Sequence, residues 1–260
     1  MPRPLRSAPL IAMVAALLAL TGCAPAAEEP QQAPPPTLGF LVGYAGECSG
    51  PGGEITVDSI RSQADELVRT RLREAGYTTL LVPCDEPVPA VDDAELRRYL
   101  DERGLRVERV RVDDARVASA IAGGTPAHAL RSAISRRIML AESLVFSGEI
   151  ARLPSASLEL IADRQAIELA RDDRRVPGAP VGGDEQVYSR AIGESGLLVS
   201  LSRGGPESSP EVSVAIADLN LAGDDSVPAT DVWTGRRIHS VDGRLAVTLS
   251  PGDTALLRIG

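Results

Sequence analysis

The pattern of apolar residues changes once along the chain, near Asp173, and this change limits the possible folds more than any other feature. Before it, short apolar runs alternate with segments of helical periodicity, which is typical of βα units in a parallel sheet. After the Pro- and Gly-rich stretch 177–183 only strand patterns follow, which is typical of an antiparallel β-sandwich. The sequence therefore predicts an α/β domain followed by an all-β domain.

Periodicity and capping residues divide the α/β part into elements. The predicted strands are 38–44, 77–82, 105–112 and 144–146. The predicted helices are 57–75, a segment that starts at Asp92 and stops at Gly104, 125–141 and 155–162. In the first helix the apolar residues, Val68 among them, fall on one stripe. Thr56 can cap its start and Gly76 suits the position after its end.

The all-β part begins at about residue 184 and runs to residue 260. Apolar residues alternate with polar ones in 212–216 and again in 245–249, as expected of half-buried strands. Asp242-Gly243 is a hairpin signal, because both positions of a tight two-residue turn need positive φ angles. We therefore expect a small antiparallel sandwich in this region.

The N-terminus has the features of an export signal. Arg3 and Arg6 precede an uncharged apolar run, 10–20, which is shorter than the roughly 20 residues needed to span a bilayer. The run ends in Leu-Thr-Gly-Cys23, which resembles the bacterial lipobox; the alternative is an ordinary cleaved signal. We expect residues 1–22 to be removed, Cys23 to carry lipid, and residues 23–37, which include five prolines, to form a disordered tether.

Composition excludes several classes of function. The formal net charge is −9, and no basic stripe with interleaved aromatic residues is present, so nucleic acid is not an expected partner. Aromatic residues make up 3% of the chain, which argues against an ordinary sugar site. The lipid makes the membrane an expected partner. The expected location is the extracytoplasmic face of the cell membrane.

Cysteine and histidine usage favours a disulfide over a metal site. Besides Cys23 the chain has Cys48 and Cys84, an even pair for an oxidising compartment, so a disulfide is expected. The two histidines, His128 and His239, lie far from any cysteine in the sequence. We expect no metal and no cofactor, with His128 exposed and His239 structural.

Four stretches in the same order resemble the α-galactosidases of glycoside hydrolase family 27. In the C-terminal part, 231–235 is similar to D-L-W-T-G and 254–259 to the closing A-L-L-R-L strand. Residues 125–172 align with the last barrel segments. Residues 38–48 match the opening M-G-W-N-S-W-N-x-F-G-C in length, and 72–77 is similar to L-R-D-A-G-Y. The resemblance implies a (β/α)8 barrel followed by a β-sandwich, a sandwich-core position for the tryptophan of D-L-W-T-G, and a disulfide between the first two body cysteines.

The barrel of such an enzyme is incomplete in this sequence. A closed (β/α)8 barrel needs roughly 200 residues or more, and the α/β part spans only 38–173. The missing strands fall between Cys84 and Thr125, where the family has the two carboxylates of a retaining glycosidase. We therefore expect a truncated (β/α) barrel-like layer at 38–173, followed by the sandwich at 184–260.

Three carboxylates are candidates for a residual catalytic pair. Arg111-Val112-Asp113 is comparable to the family's K-Y-D, which implies that Asp113 is the nucleophile. Counting back from Thr125 places Asp114 near W-N-D-P-D instead. A third register, in which 99–107 matches an earlier helix and strand, places neither at the site. Asp85 matches the family's Asp-Asp only after a one-residue slip, and an acidic turn at a strand end explains the same residues without catalysis.

Two hypotheses of different classes follow. The first is a lipid-anchored, non-catalytic relative that acts as a carbohydrate- or partner-binding or structural module, with a carbohydrate or a cell-surface protein as its expected partner. The second is an active α-galactosidase-type hydrolase with a reduced site that uses Asp113 together with Asp85 or Asp114. A further alternative is a protein partner bound at sheet edges left open by the missing strands.

Overall fold

A computed structural model describes residues 36–43, 49–50, 53–221 and 227–260. The predicted signal peptide, Cys23, most of the tether and Cys48 lie outside the described residues, so these assignments stay predictions. The chain from Pro34 to Gly260 forms one compact unit. Within the described residues, no helix has the length and hydrophobicity needed to cross a membrane.

The first part of the chain alternates strands with helices. Its strands are β1 Leu38–Leu41, β2 Ser49–Gly50, β3 Gly53–Glu54, β4 Thr79–Pro83, β5 Arg106–Val110, β6 Ile121–Ala122 and β7 Leu144–Ser147. Its helices are α1 Val57–Arg69, α2 Leu72–Ala75, α3 Pro89–Asp92, α4 Ala94–Asp101, α5 Ala115–Ala118, α6 Ala127–Met139, α7 Ser155–Ile161 and α8 Arg164–Ala170. The strands that follow are β8 Ala179–Val181, β9 Asp184–Ile192, β10 Gly196–Ser202, β11 Glu211–Ala215, β12 Pro228–Asp231, β13 Arg237–His239, β14 Arg244–Thr248 and β15 Thr254–Ile259.

Five strands form a parallel sheet in the order β5-β4-β1-β7-β6, and each neighbouring pair is parallel. The chain runs outward from the centre through β4 to β5, then crosses to the other edge and returns inward through β6 and β7. This order is that of a barrel opened between β5 and β6. The predicted truncated barrel-like layer is therefore confirmed.

The two faces of this sheet are covered by different parts of the chain. One face, with Phe40, Leu80 and Phe146, packs against the helices in the main core. We call the opposite face, with Leu41, Leu81, Val110 and Val145, the second face; Val117 of α5 packs against it. In a closed (β/α)8 barrel the helices lie outside and this face lines the interior.

The C-terminal part is a sandwich of unequal sheets. Six strands pair in the order β13-β12-β15-β10-β9-β8, and a second sheet consists of β11 and β14. All of these pairs are antiparallel. Val199 and Leu257 of the larger sheet face Leu245 of the smaller one. The predicted antiparallel β-sandwich is thus confirmed.

The six-stranded sheet is the middle layer of the molecule. Leu198 of β10 and Leu256 of β15 belong to the same core as the helices of the first part, on the face opposite Val199 and Leu257. Both central strands are therefore buried on both faces. This explains their nearly continuous apolar sequences, because a strand between two layers has no solvent-facing side.

Arg190 of β9 connects the sandwich to the helices. Its side chain is 1% exposed, and its guanidinium donates to the carbonyls of Ile138 and, at 3.1 Å, Val176. It also pairs at 3.3 Å with Asp172, whose other oxygen accepts the Gly193 N–H at 2.8 Å. Burial lowers the pKa of Arg190, while Asp172 raises it.

Several local expectations were wrong in detail. The helix expected over 57–75 ends at Arg69, because Arg71 adopts a left-handed conformation (φ 61°) that starts a separate turn, α2. Val68 is 40% exposed rather than buried. The helix expected to start at Asp92 is α4, which is capped by Asp93; the Asp93 carboxylate accepts the Leu96 N–H. Other features are as expected: Thr56 caps α1 and Gly76 follows α2 with positive φ.

Trp233 also differs from its expected place in the centre of the sandwich. It is half-buried against the main core, and its Nε1 donates to Ser135 Oγ of α6 at 2.9 Å. It therefore joins the sandwich to a helix of the first part. Of the two histidines, His128 is exposed on α6, as predicted. His239, which we expected to be structural, is exposed on β13. Asp242 and Gly243 both have positive φ angles, as a tight turn requires.

Replacing Arg190 by Ala should lower the free energy of unfolding by about 3–5 kcal/mol, because Asp172 and several carbonyls lose a buried partner. The matched control is Arg164→Ala, since Arg164 pairs with Glu168 at the surface with 91% of its side chain exposed, and such a pair contributes about 0.5 kcal/mol. Urea denaturation followed by circular dichroism measures both. Equal effects of the two substitutions would show that Arg190 does not hold the layers together.

Candidate functional site

The carboxyl ends of the parallel strands meet at one edge of the sheet, which we call the C-terminal edge. In (β/α) barrels this edge carries the active site. The segments that leave it here begin at Val42 after β1, Cys84 after β4, Arg111 after β5 and Gly148 after β7. All three carboxylates that the sequence singled out, Asp85, Asp113 and Asp114, lie in these segments.

Asp113 is held by its neighbour Arg111. Two bonds join them, from Nε to Oδ1 at 2.8 Å and from Nη2 to Oδ2 at 3.0 Å. Both side chains are mostly exposed. The hydrogen bond from Arg111 lowers the pKa of Asp113, so the carboxylate is ionised but has both oxygens engaged.

Asp114 caps the short helix α5. It accepts the Arg116 N–H at 2.8 Å and the Arg116 guanidinium at 3.0 and 2.8 Å. These bonds lower the pKa of Asp114. Arg116 also pairs with Glu108 of β5 at 2.9 Å. The segment 111–116 therefore forms an acidic turn whose two aspartates are paired with nearby arginines.

Asp85 links the segments after β4 and β5, since its Oδ1 accepts the Val112 N–H at 3.3 Å. The structure thus brings Asp85 next to the segment that carries Asp113. Cys84, the preceding residue, is 2% exposed, and its N–H donates to the Val110 carbonyl. Its expected pairing with Cys48 stays a prediction, because Cys48 lies outside the described residues.

A cleft of about 360 Å³ opens at the same edge, between the end of β1, helix α1 and the segment after β7. We call it the edge cleft. Its polar lining includes three carboxylates, Glu54, Glu66 and Glu149, together with Thr56, Ser59 and Gln63. None of Asp85, Asp113 and Asp114 lines it. The carboxylates that line this cleft are therefore not those selected from the sequence.

Two of these three carboxylates have cationic neighbours. Glu66 pairs with Arg69 at 2.5 Å and Glu149 with Arg152 at 2.7 Å. Glu149 directly follows β7 and Gly148, so the rule that barrel sites lie after strand ends was a usable signal for it. For Glu54 the sequence offers no such signal, because its place depends on the β2–β3 hairpin. Within the described ranges no group of three or more His, Cys, Asp or Glu residues is arranged to hold a metal ion.

Comparison with known proteins supports the architecture. Residues 183–259 match the family model described as the alpha galactosidase C-terminal beta sandwich domain. Comparison with curated proteins gave no match. Among solved structures, a candidate alpha-galactosidase/melibiase from Bacteroides fragilis NCTC 9343 superposes with a TM-score of 0.66 at 10% identity, covering 87% of this chain and 79% of that one.

A second protein of the same organism, a candidate alpha-galactosidase, gives a TM-score of 0.64 at 11% identity, with the same coverage of 87% and 79%. At these identities the likeness concerns the fold alone. It extends over most of the described chain, so the combination of an α/β layer and a β-sandwich is shared with these two structures. The C-terminal segment is the part that a family model identifies.

Proposed function

We propose that this protein is a lipid-anchored, extracytoplasmic relative of the α-galactosidases that does not hydrolyse glycosides and acts as a carbohydrate- or partner-binding or structural module. The chemistry of a retaining glycosidase sets the standard for this proposal. Such an enzyme needs two carboxylates about 5 Å apart on either side of the glycosidic bond, one as nucleophile and one as acid/base.

The observation that carries the proposal is the closure of the second face. In a barrel enzyme this face surrounds the interior, and the catalytic carboxylates extend from its strand ends. Here the connection from β5 to β6 lies against it, with Val117 5% exposed. Asp113 and Asp114, which begin this connection, are bound to Arg111 and Arg116. This pairing supports the proposal, because each carboxylate would have to leave its arginine before it could attack a sugar carbon.

The edge cleft favours the second candidate function, an active hydrolase with a reduced site. Glu54 and Glu149 both line it, at the edge where barrel enzymes carry their acids. Its volume of about 360 Å³ is near the lower end of the range for ligand pockets. A catalytic pair in this cleft would have to work with Glu149 released from Arg152.

Binding of a protein by strand addition is disfavoured by both edges of the parallel sheet. The outer strand β5 has the sequence RVERV, with three charged side chains in five residues, and the opposite edge strand β6 has two residues. Charged and very short edge strands resist pairing with another chain. Protein partners are therefore better sought at other surfaces.

Hydrolysis by the purified full-length chain in detergent separates the two functions. We expect no release of p-nitrophenol from p-nitrophenyl α-D-galactopyranoside above the buffer blank, with a known α-galactosidase as positive control. The same assay is applied to the variants Asp113→Asn and Glu149→Gln, with Glu168→Gln as a matched surface control. Turnover by the wild type that falls at least tenfold in either of the first two variants, but not in the control, would contradict the proposal.

The anchor is tested separately by Cys23→Ala. If Cys23 carries lipid, this variant should leave the membrane fraction, because the remaining chain has no lipid to hold it. Fractionation followed by immunoblotting measures the effect, and Gln31→Ala in the predicted tether is the control that should stay with the membrane. Retention of the Cys23→Ala variant after a high-salt wash would show that lipid on Cys23 is not the anchor.

A further inference from the structure

A second cavity, of about 290 Å³, lies between helix α6 and the six-stranded sheet; we call it the interlayer cavity. Its lining comes from both parts of the chain: α6 provides Ser132, Arg136 and Met139, and the sheet provides Tyr188, Ser200 and Thr254. It shares no lining residue with the edge cleft. We propose that the interlayer cavity is a binding site for a single neutral sugar ring.

Ser200 is the observation that points to a ligand. It lies in the middle of β10, opposite Tyr188 on one side and Leu256 on the other, and is 5% exposed. Its side chain lines the cavity, and among the described residues its hydroxyl has no hydrogen-bond partner. Its oxygen is not among the inaccessible unpartnered atoms of the described residues, so it is open to the cavity. A ligand hydroxyl there could both donate to it and accept from it.

Other hydroxyls surround Ser200. Ser202 and Thr254 form a hydrogen-bonded pair at 2.9 Å across neighbouring strands, and one lone pair or proton of each is left for a ligand. Ser132 of α6 donates to the Gly252 carbonyl at 2.8 Å, which fixes its oxygen at the cavity wall. Ser132 can therefore only accept from a ligand, whereas one hydroxyl of the Ser202–Thr254 pair keeps its proton. The site thus offers both acceptors and a donor to ligand hydroxyls.

The charged side chains at the cavity favour a neutral ligand. Arg136 and Glu185 both line the cavity, and both are exposed, so they lie at its opening. Within the part of the chain that the structure describes, neither forms an ion pair. Together they present one donor group and one acceptor group with no net charge, which suits adjacent hydroxyls better than a carboxylate or an amine.

The remaining surface suits the apolar side of a ring. Ala133, Met139 and Leu140 provide aliphatic contacts, and Tyr188 provides an aromatic side chain. The volume of about 290 Å³ is at the small end of ligand pockets, so one ring is accommodated and an extended chain is not. This inference rests on the proposed function in one respect: it assigns a bound ligand to a protein that does not hydrolyse glycosides.

Ligand-observed NMR on the purified full-length chain tests the site, with D-galactose, D-glucose, D-mannose and D-galacturonate as separate probes. We expect saturation transfer to at least one neutral hexose and none to galacturonate. Ser200→Ala and Arg136→Ala should each weaken binding about tenfold or more. Ser195→Ala, in the exposed turn between β9 and β10, is the matched serine control and should bind as the wild type does.

Arg136 is exposed, so its variant tests the site even if Ser200→Ala disturbs packing. Binding of galacturonate alone, no binding of any hexose, or hexose binding unchanged in both Ser200→Ala and Arg136→Ala would each overturn the inference. Hydrolysis of the aryl galactoside, by contrast, would overturn the proposed function and leave the interlayer cavity as a binding site. The two failures are therefore distinguishable.

Discussion

A parallel sheet of five strands cannot close on itself, so each of its faces must be covered by another part of the chain. The helix face is covered as in any βα protein. The second face is small and apolar, with Leu41, Leu81, Val110 and Val145. It would be exposed to solvent if no other segment packed against it. The connection from β5 to β6 provides that cover through Val117 and Ala120. The same segment that crosses between the two edges of the sheet therefore removes the interior that a barrel enzyme uses.

The sandwich completes this arrangement from the other side. The six-stranded sheet packs on the helices with one face and on β11 and β14 with the other. The sandwich therefore has a core of its own and also contributes to the main core. Arg190, Trp233 and the bidentate Arg131–Asp253 pair cross the same boundary. The boundary also contains the interlayer cavity, so a ligand bound there would contact both layers.

Sequence patterns predicted much of this fold. The switch near Asp173, the capping residues Thr56 and Gly76, and the strand alternation follow from local rules and proved correct. The cover over the second face was not predicted, because α5 is a single turn whose packing depends on distant strands. The buried Arg190 was missed for a similar reason: its partners are carbonyls from three other segments, and a sequence does not show where carbonyls converge. The same limit applies to the candidate sites, since Glu54 and Ser200 can be recognised only from a cleft or cavity that several elements form.

Helix α5 closes the second face, and the accessibility of two adjacent positions measures this closure. Val117 is buried and Ala118, the next residue, is exposed. Cysteine is placed at each in turn, and its reaction with iodoacetamide is followed by peptide mass spectrometry. We expect the Val117→Cys thiol to react at least tenfold more slowly than the Ala118→Cys thiol, because its alkylation requires local opening. Equal rates at the two positions would show that α5 does not close the second face.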